Sequence, residues 1–169
     1  MTTLRIAYQD TKDYDLALKQ FETAYEIRSQ EGEPVEIAQS LVNIARVRGR
    51  AGDHEAAEEF ANRALADLRD LPPDTLRANA EILLAQTLLR LNRATEAIEN
   101  GERAVAINQQ IGNRQGEAIA HLVTAQCSRS AGRRDKAISH AQQCLELNTA
   151  MGNQYGQDRA KWLLVKLGA

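Results

Sequence analysis

The sequence predicts an all-α protein built from a repeat of forty residues. Alanine recurs at that interval four times, and a second series of small residues follows seven positions later. The two series are Ala17, Ala57, Ala97 and Ala137, and then Ala24, Ala64, Ala104 and Cys144. Aromatic residues make up only 4% of the 169 residues. The core must therefore come from Ala, Leu, Ile and Val, which favours closely packed helices.

Each repeat predicts two helices, because small residues spaced i, i+4 and i+7 share one helical face. The first helices are expected at 34–50, 73–91, 114–131 and 154–167, and the second helices at 13–30, 53–69, 93–111 and 133–151. Residues that end a helix separate the segments. Within repeats they occur around Thr11–Asp13, Gly52, Asn92 and Gly132, and between repeats at Gly32, Pro72, Gly112 and Gly152.

We expect a single array over residues 1–169. It comprises a partial unit, three complete hairpins and a final helix that acts as a cap. The expected bounds are 1–33 for the partial unit, 34–72, 73–112 and 113–152 for the hairpins, and 153–169 for the capping helix. Residues 1–10 are expected to supply a short first helix.

Composition places the chain among cytoplasmic globular proteins. The formal charge is only −2 at pH 7, which gives no general attraction to nucleic acid. No apolar run approaches the roughly twenty residues that cross a bilayer, and the N-terminus lacks the apolar stretch of a secretory signal. Two cysteines fit a reducing compartment.

The residues that carry catalysis or metal binding in other proteins form no recognisable motif here. His54, His121 and His140 have no His-Glu-x-x-His spacing, and no Cys-x-x-Cys pair is present. Packing explains Cys127 and Cys144, since Cys144 stands at a recurrent alanine position. The sequence therefore predicts no enzyme activity, no cofactor and no metal site.

Charge separates by helix type. The four first-helix segments carry a formal charge of +5 and the four second-helix segments carry −5. Acidic runs such as Glu55–Glu59 are most often the solvated faces of helices, but a systematic separation predicts that one surface of the array is basic.

The segments Asn43–Ala45 and Gly52–His54, followed by Ala57, Ala61 and Ala64, resemble the tetratricopeptide repeat in its longer class of about forty residues. The linker 112–118, echoed by 152–156, is similar to the inter-repeat connection of that class. The resemblance implies a right-handed α-solenoid whose first helices line a concave groove. It also implies a protein-interaction module, with a role as a regulatory or sensor domain of a larger bacterial protein as one possibility.

Carried over residue by residue, the resemblance assigns four rows of groove positions that contain no Asp or Glu. They are Gln39, Asn79, Ile119 and Arg159; Val42, Ile82, Leu122 and Trp162; Arg46, Gln86, Gln126 and Lys166; and Arg50, Arg90 and Ser130. We expect the row that begins with Val42 to supply apolar anchors and the other rows to bind the backbone and acidic groups of a peptide.

Two alternatives remain open. Exposed apolar ends of the array could stack on another copy, which would make the chain an assembly element and a homo-oligomer. RNA could use the same basic groove, but aromatic residues that would stack on bases are nearly absent from it.

Overall fold

The computed structural model describes residues 14–169, and every regular element in that range is a helix. The helices are α1 (Tyr14–Glu31), α2 (Pro34–Ala51), α3 (His54–Asp67), α4 (Thr75–Arg90), α5 (Ala94–Gln110), α6 (Arg114–Ser130), α7 (Arg134–Ala150) and α8 (Gln154–Leu167). The predicted all-α class is confirmed for these residues. The turn expected around Thr11–Asp13 and the helix expected within 1–10 lie outside the described residues.

The chain divides into two compact units, Met1–Pro72 and Pro73–Ala169. In the first unit α2 packs against both α1 and α3. In the second unit each helix packs against the next, and α6 also contacts α4 and α8. The three first helices of the second unit, α4, α6 and α8, are therefore neighbours. This division does not test the repeat boundaries expected from the sequence, which stay predictions.

Small residues allow the helices of a hairpin to approach closely. Ala57, Ala97 and Ala137 have no exposed surface, as the repeat predicts. Gly101 allows a close approach between neighbouring hairpins, because a Cβ atom there would lie 3.2 Å from the Cβ of Thr124 in α6 and closer still to its hydroxyl oxygen. The recurrent small position is thus a packing requirement.

Local signals end the helices where the sequence predicts. Gly52 follows α2 with φ 92°, and Asn92 follows α4 with φ 61°, so both residues take the left-handed conformation that closes a helix. Asp53 then caps α3, because its Oδ1 accepts a hydrogen bond from the Ala56 amide at 3.3 Å.

The linkers after α5 and α7 are held by a buried asparagine. Asn108 Nδ2 donates to Ala104 O at 2.8 Å, and Asn108 Oδ1 accepts from Asn113 Nδ2 at 2.8 Å. Asn113 Oδ1 in turn caps α6 by accepting from the Gly116 amide at 3.1 Å. The same chain of contacts recurs forty residues later in Asn148, Asn153 and Gly156. Each linker thereby sets the position of the first helix that follows it.

Each unit has its own apolar core. In the first unit Ala17, Leu18, Ile44 and Val47 form a buried cluster. In the second unit a cluster lies between α6, α7 and α8, and it is built from Leu122, Ala125, Ala137, Ala141, Cys144, Ala160, Leu163 and Leu167. Within residues 14–169, none of the helices has the length and apolar character that a membrane span requires.

Candidate functional site

The second unit presents most of the predicted groove positions on its first helices. Helices α4, α6 and α8 are neighbours, so the accessible members of these positions lie on one side of the unit. They are exposed except for Gln126, which is half-buried. We call this set the first-helix surface; its members are Asn79, Gln86, Arg90, Ile119, Gln126, Ser130, Arg159, Trp162 and Lys166.

The first-helix surface carries positive charge only. Arg90, Arg159 and Lys166 are exposed, and no Asp or Glu occupies any of its positions. Arg129 adds a fourth exposed cation at the end of α6, next to Trp162. Such a surface attracts carboxylates through screened electrostatics, and arginine can bind them with two parallel hydrogen bonds.

The structure contradicts the expectation that the row beginning with Val42 supplies accessible apolar anchors. Val42 has no exposed surface, and Ile82 and Leu122 are 8% and 6% exposed. These side chains lie in the cores of their hairpins. In each hairpin the second helix packs over these positions of the first helix. Their burial therefore depends on contacts between two helices, which the spacing of residues along one helix does not reveal.

Trp162 is the exception in that row. It is 55% exposed, and two cations lie near its ring, with Arg129 Cζ 5.9 Å and Lys166 Nζ 5.7 Å from the ring centroid. Distances under 6 Å are within the range of cation–π attraction. Ile119, at 45% exposure, is the other apolar member of the first-helix surface. The apolar contact area of this surface therefore comes from two residues.

In the first unit the predicted groove residues lie on α2. Arg50 is exposed, whereas Gln39 and Arg46 are half-buried, and Gln39 Nε2 donates to Asn43 Oδ1 at 3.3 Å. The neighbouring Arg48 is already paired, at 3.0 Å with Glu22 and at 3.4 Å with Asp53. Part of the positive charge counted for α2 is thus neutralised within the unit.

A polar pair bridges the helices in each hairpin of the second unit, and sequence reasoning missed both pairs. In α4 and α5, Arg103 links the two positions by binding both the Glu81 carboxylate and the Asn100 side chain. In α6 and α7 the equivalent positions, forty residues later, are His121 and His140. The nineteen-residue separation shared by both pairs was the signal that could have found them.

The Glu81 carboxylate is buried at 4% exposure and accepts from Arg103 Nε at 3.1 Å through both oxygens. Burial raises the pKa of Glu81, and the Arg103 guanidinium opposes that rise. Arg103 is half-exposed and also contacts the Asn100 side chain. This arrangement neutralises a buried carboxylate and leaves its oxygens with little room for an external ligand.

The two imidazoles of His121 and His140 meet through their Nδ1 atoms at 2.9 Å. One Nδ1 must carry the proton and donate it to the other, because protons on both Nδ1 atoms would bring two N–H groups together. Burial lowers the pKa of His140 to about 4, with the neighbouring His121 adding to the effect. Burial also lowers the pKa of His121, against the opposing effect of Glu117, whose Oε1 lies 3.8 Å from His121 Nε2. Burial thus favours the neutral form of both rings.

The cysteines are packing residues. Cys127 has no exposed surface, and burial raises its pKa to about 11. Cys144 is 1% exposed, and burial raises its pKa as well. Thiols in such surroundings are poor nucleophiles, because the reactive form is the thiolate. Across residues 14–169 no three His, Cys, Asp or Glu side chains come together as metal ligands would.

A family model described as tetratricopeptide repeat matches residues 6–70 and 76–150 of the chain. A search of curated protein sequences gives no match.

Solved structures similar to this chain are helical-repeat proteins. The repeats of a putative kinesin light chain from Podosopora anserina superpose with a TM-score of 0.78 at 17% identity, covering 97% of this chain and 85% of that one. The apo form of RapI gives 0.83 at 16% identity, covering 97% and 61%. A Rap protein complexed with competence and sporulation factor gives 0.80 at 17% identity, covering 97% and 47%. This chain thus spans about half to two thirds of the Rap chains, and the predicted helical-repeat solenoid is confirmed.

Proposed function

Since the chain belongs to the tetratricopeptide repeat family, whose members are in general non-catalytic scaffolds for protein interactions, we propose that its first-helix surface binds an acidic peptide segment of a partner protein. The observation that carries this proposal is the charge of the surface, where Arg90, Arg159 and Lys166 are exposed and no carboxylate is present. In the first unit, Arg50 of α2 is exposed and carries charge of the same sign.

The apolar part of the recognition is narrow. With Ile82 and Leu122 buried, Ile119 and Trp162 are the apolar members of the first-helix surface that can contact apolar side chains of the peptide. A partner with one or two apolar anchors flanked by Asp and Glu fits this arrangement better than a strongly apolar helix. The amides of Asn79 and Gln86 on α4 are exposed and suit hydrogen bonds to a peptide backbone.

As part of the same proposal, this binding has a regulatory role within a larger polypeptide. In such a role the first-helix surface would bind an acidic segment of another domain or protein. No chemistry on the ligand is required, and we expect no turnover of any bound segment.

The experiment measures binding of fluorescein-labelled peptides by fluorescence anisotropy. One peptide has a single Leu flanked by Glu and Asp, and its matched control has Lys and Arg at the same places. The acidic peptide should bind and weaken as salt is added, since complementary charges attract through a screened field. Changing Arg90 and Arg159 to Glu should weaken binding about tenfold or more and reduce its salt dependence.

Charge reversals on second helices serve as the matched control. Glu99 in α5 and Glu146 in α7 are exposed, so Glu99→Lys and Glu146→Lys alter net charge without touching the first-helix surface. These variants should bind the acidic peptide at least as well as the original chain. If they abolish binding while Arg90→Glu and Arg159→Glu leave it intact, the binding surface lies on the second helices and the proposal is wrong.

A further inference from the structure

The charged residues of the second unit are unevenly distributed along its hairpins. Helices α4 and α6 contact each other, and each ends at the turn that leads into its second helix, so the two turns lie at the same end of the unit. We call residues 89–96 and 129–136 the turn edge. Its six cations and two carboxylates are Arg90, Arg93, Arg129, Arg133, Arg134 and Lys136, with Glu96 and Asp135.

The opposite end of the same first helices is balanced in charge. Residues 73–77 and 113–117, which lead into α4 and α6, carry two cations and two carboxylates. They are Arg77 and Arg114, with Asp74 and Glu117. The excess of positive charge is therefore a property of the turn edge.

Half of the six cations are bound within the fold. Arg93 donates to both carboxylate oxygens of Glu96, at 2.7 and 2.6 Å. Lys136 pairs with Glu102 at 2.6 Å. Arg134 donates to two backbone carbonyl oxygens at the end of α8, at 2.8 and 3.0 Å. These three side chains serve to hold the helices in place.

Arg90, Arg129 and Arg133 are the other three cations. All three are exposed, and within the described part of the chain none of them forms an ion pair. The backbone that carries two of them is fixed, because Gly132 N donates to Arg129 O at 3.1 Å and Arg133 N donates to Ser128 O at 2.9 Å. Little ordering is needed before such a turn can bind a ligand.

Helix stability does not account for arginine at position 133. Arg133 stands at the N-cap of α7, where its side chain makes no capping hydrogen bond. Asp53 stands eighty residues earlier at the N-cap of α3, and its carboxylate accepts from the Ala56 amide. A guanidinium has no acceptor for that purpose, and the positive end of the helix dipole repels its charge. A residue that breaks a local rule without a compensating contact points to a role on the surface.

The chemistry of the turn edge fits carboxylates. An arginine guanidinium can bind a carboxylate through two parallel hydrogen bonds, and three such groups suit several acidic side chains in succession. Nucleic acid is a poorer match, because no aromatic residue that could stack on a base lies within the turn edge. An acidic peptide segment is therefore the ligand that these cations favour.

We propose, on the basis of the proposed peptide binding, that the acidic residues of the bound segment lie on the turn edge while its apolar residue lies on Ile119. Ile119 is 45% exposed and precedes Arg129 by ten residues of α6, which is about 15 Å along the helix axis. An extended peptide spans that distance in about four or five residues. The ligand therefore has an apolar residue at one end and an acidic run about four or five residues away.

Two fluorescein-labelled peptides of equal composition test this spacing by fluorescence anisotropy at about 0.15 M salt. The spaced peptide has one Leu separated by four Ser residues from a run of three Glu, and it is made in both chain directions. The compact peptide has the same residues with the Glu residues directly around the Leu. At least one spaced peptide should bind about tenfold more tightly than the compact peptide, since its Leu and its acidic run reach both places at once.

Arg133→Asp tests the cation at the turn. It copies Asp53 and supplies a cap to α7, so the midpoint of thermal unfolding should not fall. Binding of the spaced peptide should nevertheless weaken about tenfold, because a carboxylate replaces the cation that faces the acidic run. Arg114→Asp is the matched control, since it makes the same charge change on an exposed residue at the other end of α6. It lies beyond the reach of the screened field and should alter binding less than about twofold.

Two results overturn the assignment of the turn edge and leave the proposed function standing. One is a compact peptide that binds as tightly as both spaced peptides. The other is an Arg133→Asp variant that binds the spaced peptide as well as Arg114→Asp does. If no acidic peptide binds, the proposed function fails as well. A single-stranded oligonucleotide that binds more tightly than the peptides, and no longer binds to Arg133→Asp, would assign the turn edge to nucleic acid and overturn the proposal.

Discussion

The two complete hairpins of the second unit have the same small-residue framework and different polar pairs. In α4 and α5 a buried carboxylate is neutralised by an arginine, whereas in α6 and α7 two imidazoles bind each other. In the first unit the equivalent positions are Leu41 and Phe60, and Leu41 is buried. The repeat therefore requires a filled position between the helices but tolerates apolar, ionic or imidazole groups there.

This difference shows which positions of the repeat are constrained in side-chain size. Positions where backbones approach, such as Gly101 and Ala97, accept only small residues. The bridging position is wide enough for varied chemistry. The Glu81 carboxylate is paired with Arg103, and His121 and His140 share a hydrogen bond through Nδ1, which lowers the cost of burying these groups. Four predictions test this distinction, from the largest expected effect to the smallest.

The close contact between Gly101 and Thr124 should be the least tolerant of substitution. Gly101→Val would push its side chain against Thr124 and should lower the free energy of unfolding by about 3 kcal/mol, as overpacking does in tight cores. Urea unfolding followed by circular dichroism measures the loss. Combining it with Thr124→Ala should recover part of the loss, and no recovery would show that the hydroxyl is not the obstacle.

The ionic pair should be less costly to disturb but sensitive to how it is disturbed. Arg103→Met leaves the Glu81 carboxylate buried without its cation and should destabilise the protein by about 1–3 kcal/mol, a loss limited by the exposure of Arg103. Adding Glu81→Leu, which copies Leu41, should restore much of the stability. A double variant no more stable than Arg103→Met would mean that the position does not accept an apolar residue.

The imidazole pair should make the α6–α7 hairpin sensitive to acid. Because burial holds the pKa of His140 at about 4, below its ordinary 6.5, the unfolded state binds more protons in that window. The contribution to stability is complete above pH 6.5 and should be lost progressively as pH falls toward 4. His140→Asn, which copies Asn100, should flatten the dependence of the unfolding free energy on pH in this range. An unchanged slope would show that other groups govern it.

The thiol of Cys144 should matter least. Cys144→Ala places the residue of the equivalent Ala104 at this point and should change the unfolding free energy by no more than about 1 kcal/mol, with a small loss of packing against Asn148. Cys144→Leu is the matched control and should cost more by overpacking. A large effect of alanine and a small effect of leucine would contradict the assignment of this position as small and tightly packed.

Much of the fold could be predicted because the same local signals for ending and capping helices occur in several repeats. Caps and closing residues such as Asp53, Gly52 and Asn92 act within a few residues, and the buried alanines recur at a fixed interval, so the sequence by itself determined the helices, the turns and the small positions. The basic character of the first helices also followed from the sequence alone.

Only the tertiary structure decided which side chains are accessible. Val42, Ile82 and Leu122 share a row with Trp162, yet a second helix buries the first three and none of the described helices covers the last. The contact between His121 and His140 likewise depends on how two helices face each other across a hairpin. Exposure and pairing are properties of neighbouring elements, and the period of a single helix cannot specify them.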